Sequence, residues 1–170
     1  MIRVGWILLV LAMSVRAEPW SLVWSDEFSG QGLPDGSKWS TETGLLRNEE
    51  KQCYTGDRPE NVRQENGLLI LECRREDFTT PDQGMVRFTS GSLTTRNKAS
   101  WRYGRFEIRA KMPQGKGAWA SLWLMGESDS RGKPWPACGE IDIAEHVGKE
   151  PENIYGTVHF RKGGRHRFQA

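Results

Sequence analysis

Glu140, Asp142 and Glu145 lie within the heptapeptide Gly139-Glu140-Ile141-Asp142-Ile143-Ala144-Glu145. Side chains alternate faces along a β-strand, so Glu140 and Asp142 share one face and Ile141 and Ile143 point into a core on the other. Strict alternation would bury Glu145 with the isoleucines, which is costly for an unpaired charge. One extra residue, a β-bulge around Ile143 or Ala144, returns Glu145 to the face of Glu140. Glu140 and Glu145 are then about four strand steps apart, roughly 13 Å between backbones at ~3.3 Å per step. Side chains leaning inward across a concave sheet shorten that separation. Two carboxyls ~5–5.5 Å apart can serve as nucleophile and acid/base at an acetal carbon.

Three acidic side chains on one strand face also suit a solvated surface or a cation site. The neighbours weigh against a merely solvated face. Trp119, Trp123 and Trp135 lie just upstream, and aromatic faces stack on sugar rings. Trp119 and Trp123 are four apart in an apolar run, which directs both to one face, and this expectation competes with a role for either in the core.

The elements that must position these groups are short. The chain of 170 residues fits one domain. Its first 17 residues read as a secretory signal, with Arg3, an apolar run from Trp6 to Met13 and small residues before Glu18. The apolar run is too short to span a bilayer, so no stable membrane association is expected. A secreted domain over residues 18–170 follows. Taking Arg3 and Arg16 from the 24 Lys and Arg leaves 22 basic against 22 acidic residues. That balance excludes the basic excess of a nucleic-acid binder. The basic run Arg161, Lys162, Arg165, His166, Arg167 reads as a solvated strand and turn.

Three cysteines, Cys53, Cys73 and Cys138, are too few and too widely spaced for a zinc site, and they allow at most one disulfide. Cys73 closes an apolar strand and is expected to be a small buried hydrophobe. No metal or cofactor motif is present; Gly30 to Gly36 does not match a dinucleotide fingerprint.

Short apolar, aromatic and β-branched runs recur between turn signals, an all-β pattern. Expected strands include Leu22–Trp24, Leu68–Glu72 entered by an Asn66-Gly67 turn, Val86–Phe88, Ser92–Thr95, Tyr103–Met112, Ala118–Met125 buried on both faces, Glu140–Glu145 and Tyr155–Phe160. A further strand over 48–54 would align Asn48, Glu50, Gln52 and Tyr54 on one polar face able to bond sugar hydroxyls. Many short antiparallel strands imply a sandwich or jelly roll.

Several stretches, in order, resemble glycoside hydrolase family 16, and in particular its laminarinase-like branch. Trp135-Pro136-Ala137-Cys138-Gly139 followed by the acidic strand is the most specific. Trp24 to Phe28, Asn48 to Thr55, Tyr103 to Pro113, Trp119 to Leu124 and Tyr155 to Phe160 are similar to other strands of that family. The resemblance spans about residues 20–160. It implies a jelly-roll sandwich of two antiparallel sheets with a concave cleft, and a retaining endo-hydrolase with Glu140 as nucleophile, Glu145 as acid/base and Asp142 between them. It implies a polysaccharide partner of the β-1,3-glucan type, met by Asn48, Trp119, Trp123, Trp135 and His159. The residue inserted before Glu145 fits branches acting on β-1,3-glucan or algal galactan.

Two residues depart from the family pattern. Ser92 stands where many laminarinase-like members carry arginine, and Trp101 where phenylalanine is more usual. Family domains run well beyond this length, so C-terminal strands are expected to be missing from residues 18–170. A non-catalytic β-glucan-binding protein on the same fold is the rival reading; retention of both glutamates favours the enzyme. Transglycosylation shares the same covalent intermediate. The sequence specifies no oligomeric state.

Overall fold

The computed structural model describes residues 20–127 and 132–170. The expected leader, residues 1–17, lies outside them. Twelve strands and no α-helix occur among the described residues: β1 (Ser40–Thr41), β2 (Thr43–Gly44), β3 (Cys53–Thr55), β4 (Val62–Glu65), β5 (Leu68–Leu71), β6 (Arg74–Thr80), β7 (Gly84–Ser90), β8 (Leu93–Thr94), β9 (Trp119–Met125), β10 (Glu140–Val147), β11 (Tyr155–Lys162) and β12 (Arg165–Gln169).

Two four-stranded sheets dominate. One has the order β12-β11-β10-β9 and is antiparallel throughout. The other has the order β2-β3-β7-β6. Its β3 and β7 run parallel, a departure from the expected purely antiparallel sandwich. β1 pairs with β8, and β4 with β5. The β4–β5 turn is the one expected from sequence: Glu65 pairs with Leu68, leaving Asn66 and Gly67 at φ of 53° and 74°. Positive φ at both central residues gives the twist a two-residue hairpin needs.

The core is small and partly polar. Cys53, Tyr54, Val62 and Val86 are its buried apolar residues; Asn61, Gln64, Thr89, Asp142, His146 and Thr157 are buried polar ones. Asn61 shows how such a group is accommodated. Its amide donates to Glu72 O (2.9 Å) and Thr89 Oγ1 (3.0 Å), and its oxygen accepts from Thr55 Oγ1 (2.7 Å). The amide nitrogen and oxygen of Asn61 thereby replace the water they lost.

Several sequence expectations are corrected. Tyr103–Met112 forms no strand, and Phe106 and Ile108 are exposed. Alternation alone makes a segment amphipathic; a ladder also needs a neighbouring backbone, and none pairs with these residues among those described. Leu22–Trp24 is likewise unpaired, with Leu22 and Val23 exposed. Trp24 instead packs edge-on against Trp39 (5.3 Å) and Trp101 (5.4 Å), and Trp101 against Phe106 (5.6 Å). β9 is not buried on both faces: Trp119 is 70% exposed. Cys73 is exposed, not buried, and all three cysteines are free thiols.

Candidate active site

The bulge forms where the acidic spacing requires it. Against β9, Asp142 pairs with Trp123 and Ala144 with Leu122, so Ile143 is the extra residue. Against β11, Asp142 pairs with Thr157 and Glu145 with Tyr155, again with one extra residue on β10. The slip restores Glu145 to the face of Glu140 and Asp142.

Paired residues of neighbouring strands share a face, so register defines the wall around the carboxylates. Glu140 lies between Met125 and His159, Asp142 between Trp123 and Thr157, and Glu145 between Ser121 and Tyr155. Trp119 pairs with Val147 and completes the β9 row. The two tryptophans expected to share a face therefore both stand on the carboxylate face. The opposite face carries Ala120, Leu122, Leu124 and His146, as well as Ile141 and Val158; Ile141 is 48% exposed, so the expected burial there is not realised.

Each glutamate is held by an indole. Trp119 Nε1 donates to Glu145 Oε1 at 3.1 Å, and Thr157 Oγ1 donates to Glu145 Oε2 at 3.5 Å. Trp135, from the loop before β10, donates its Nε1–H to Glu140 Oε2. That loop is brought close by backbone contact: Gly126 N donates to Gly139 O (2.9 Å), and a Cβ on Gly126 would overlap the Cys138 carbonyl. The Trp135–Pro136 peptide is cis.

Asp142 differs from its flanking glutamates by being 5% exposed. Burial, then the charges of Glu140 and Glu145, push its carboxyl up from 3.8 to about 6, and the nearby His159 partly offsets them. His159 Nε2 lies 3.1 Å from Asp142 Oδ2, an oxygen that accepts no hydrogen bond in this arrangement. A buried carboxyl flanked by two carboxylates can hold a proton and donate it to Glu140, easing the repulsion among three anions on one face.

Of the expected site residues, the fold assembles Glu140, Asp142, Glu145, Trp119, Trp123, Trp135 and His159. Asn48 is different. Residues 48–52 form no strand; Asn48 and Glu49 have φ of 54° and 53°, in a turn after Leu45 and Leu46. The expected polar face of Asn48, Glu50, Gln52 and Tyr54 is therefore not a strand face, although Tyr54 Oη still donates to Glu50 (2.9 Å) and accepts from Gln52 (3.2 Å). Asn48 itself is exposed.

Sequence reading missed Arg47, the residue of this loop that reaches the site. Its guanidinium lies 5.5 Å from the Trp123 ring and 5.4 Å from Tyr54. Glu42 holds it at 2.6 Å, and Ser92 Oγ donates to the other Glu42 oxygen at 2.6 Å. Ser92, through Glu42, thus braces an arginine supplied by another loop. Arg47 and Glu42 are near neighbours in sequence, but no local pattern signals the contact, because Ser92 and Trp123 lie far along the chain from both.

The all-β fold thus presents three carboxylates with Trp119 and Trp123 on one sheet face. The chain belongs to the glycosyl hydrolases family 16, which it matches over residues 48–170. It is 47% identical over 161 residues to a β-glucanase of Rhodothermus marinus, covering 93% of this chain and 54% of the relative. It is 44% identical over 158 residues to a glucan endo-1,3-β-glucosidase of Cryptopygus antarcticus, covering 89% and 56%. The crystal structure of the laminarinase from Rhodothermus marinus superposes with a TM-score of 0.78 at 47% identity, over 88% of this chain and 61% of that one. The chain spans about half the length of the curated relatives it matches.

Proposed function

We propose that this chain carries the catalytic strand of a retaining endo-hydrolase of β-1,3-glucan. The observation that supports this most is the Ile143 bulge, which returns Glu145 to the face of Glu140 and Asp142, opposite Trp123. In the first step Glu140 attacks the anomeric carbon while Glu145 protonates the departing glycosidic oxygen. A glycosyl ester forms on Glu140, and its carboxylate charge is consumed. Glu145, now an anion, takes a proton from a water whose oxygen attacks the anomeric carbon from the face opposite Glu140, and the bond from that carbon to the Glu140 carboxyl oxygen breaks. The two inversions give net retention, and Glu140 and Glu145 return to their starting states. Asp142 spreads a proton between itself and Glu140, and the indoles of Trp119 and Trp135 orient the two glutamates. Trp119 and Trp123 offer stacking surfaces for pyranose rings. The similarity to a glucan endo-1,3-β-glucosidase supports β-1,3-glucan as substrate.

We also propose that residues 1–17 direct export and are removed before Glu18, so that the site meets polysaccharide outside the cell. Proton NMR of the first sugar released from laminarin, with cellulose as a parallel substrate, tests the catalytic proposal. The β-anomer from laminarin is the expected first product; an α-anomer, or cleavage of cellulose alone, overturns it.

A further inference from the structure

The turn between β11 and β12 sets two histidines beside the acidic strand. Lys162 pairs with Arg165 across Gly163 and Gly164, His159 pairs with Phe168, and Arg161 pairs with His166. His166 is therefore the diagonal neighbour of His159 on the carboxylate face. The rings lie 5.1 Å apart at 27°, with His159 Nδ1 2.9 Å from His166 Nε2. Trp135 packs on His166 at 4.6 Å while its indole N–H serves Glu140. The other nitrogen of His159 is the one facing Asp142.

Two neutral imidazoles in such contact share one proton between the facing nitrogens. If His159 Nδ1 carried it, His159 Nε2 would turn a bare lone pair toward the Asp142 carboxylate, which is repulsive. If His166 Nε2 carries it, His159 Nε2 bears its own proton, and the edge of the ring that lies 3.1 Å from Asp142 Oδ2 is positive and not a lone pair. The charged groups around the pair are Glu140, Asp142 and Glu145 from β10 and Arg161 from β11, while Arg165 and Arg167 project from the other face of β12.

We propose that His166 is a positioning residue: its Nε2–H fixes the tautomer of His159 so that the ring edge near Asp142 carries a proton and not a lone pair. The arrangement matches the general logic by which an outer hydrogen bond decides which imidazole nitrogen serves the site. It does not depend on the substrate, because it concerns proton placement in the free protein.

Nitrogen-15 NMR of the histidine-labelled full chain at a pH where both rings are neutral tests it. Wild type should show His159 protonated at Nε2, with Nδ1 shifted by an accepted hydrogen bond. His166→Phe keeps an aromatic ring against Trp135 and removes the donor. It should move the His159 Nδ1 resonance to that of an unbonded nitrogen, and raise the carbon-detected titration midpoint of Asp142 by roughly half a pH unit. His166→Gln, which retains an N–H donor, should restore both signals toward wild type. A His159 protonated at Nδ1 in wild type overturns the proposal. So does an unchanged His159 spectrum in a His166→Phe protein that gives a folded amide spectrum.

Discussion

Glu76 and Asp142 are both acidic residues in four-stranded sheets, and the fold drives them in opposite directions. Glu76 on β6 accepts from Arg58 Nη1 (2.6 Å), Arg58 Nη2 (3.2 Å) and the Thr89 hydroxyl, and these bonds hold it down to about 2. Asp142 on β10 is buried beside two other carboxylates and rises to about 6. The first is surrounded by donors and behaves as a brace. Arg58 also bonds Asn61 (2.8 Å) and lies over Phe78 (4.8 Å), tying the loop before β4 to β6. The second is surrounded by anions, and its unfavourable charge is tolerated where three carboxyls must converge. A carboxyl that folding stabilises is structural; one that folding penalises points to function.

The sharpest way to break this contrast is to remove a charge on the second site. Glu140→Gln should lower laminarin turnover by roughly 10³-fold or more while leaving thermal unfolding near wild type, since it deletes a nucleophile and not a support. A folded Glu140→Gln protein with near-normal turnover would move the nucleophile elsewhere.

Asp142→Asn should act on rate and stability in opposite senses. Between about pH 4 and pH 6 the unfolded chain has released the Asp142 proton while the folded chain keeps it, so stability falls as pH rises. Above about 6 the penalty is complete, with an upper limit of about 3 kcal/mol for a carboxyl raised from 3.8 to about 6. The Asn variant should therefore melt higher than wild type at pH 7.5 and equally near pH 3, yet turn over roughly 10-fold more slowly. Equal melting at both pH values would mean that Asp142 carries no such penalty.

Glu76→Gln should show the reverse. A lowered carboxyl contributes stability that is present above about pH 4.5 and is lost as pH falls toward 2. Its side chain is 25% exposed, so screening reduces the contribution to on the order of 1–2 kcal/mol. Urea unfolding at pH 7 and pH 3 should show the variant less stable at the first and closer to wild type at the second. A loss equal at both values would assign the effect to packing.

The smallest expected effect is at Trp119, whose ring is mostly exposed. Trp119→Ala should weaken laminari-oligosaccharide binding by about 1 kcal/mol, roughly five-fold, with unfolding unchanged. Calorimetry on a Glu140→Gln background measures this without turnover; unchanged affinity would place the stacking role at Trp123 alone.

The sequence alone carried the all-β class, the Asn66-Gly67 hairpin, the need for a bulge before Glu145 and the shared face of Trp119 and Trp123. These follow from local rules: alternation of side chains, turn stereochemistry and the cost of burying a charge. The tertiary structure decided what depends on partners distant along the chain. It withheld a neighbouring strand from Tyr103–Met112, turned Asn48 out of the expected strand, and brought Arg47, Glu42 and Ser92 together beside Trp123. It also set His166 against His159. Periodicity reports which face a side chain takes, but pairing, long-range hydrogen bonding and proton placement depend on which backbones meet, and that is decided only when the sheets form.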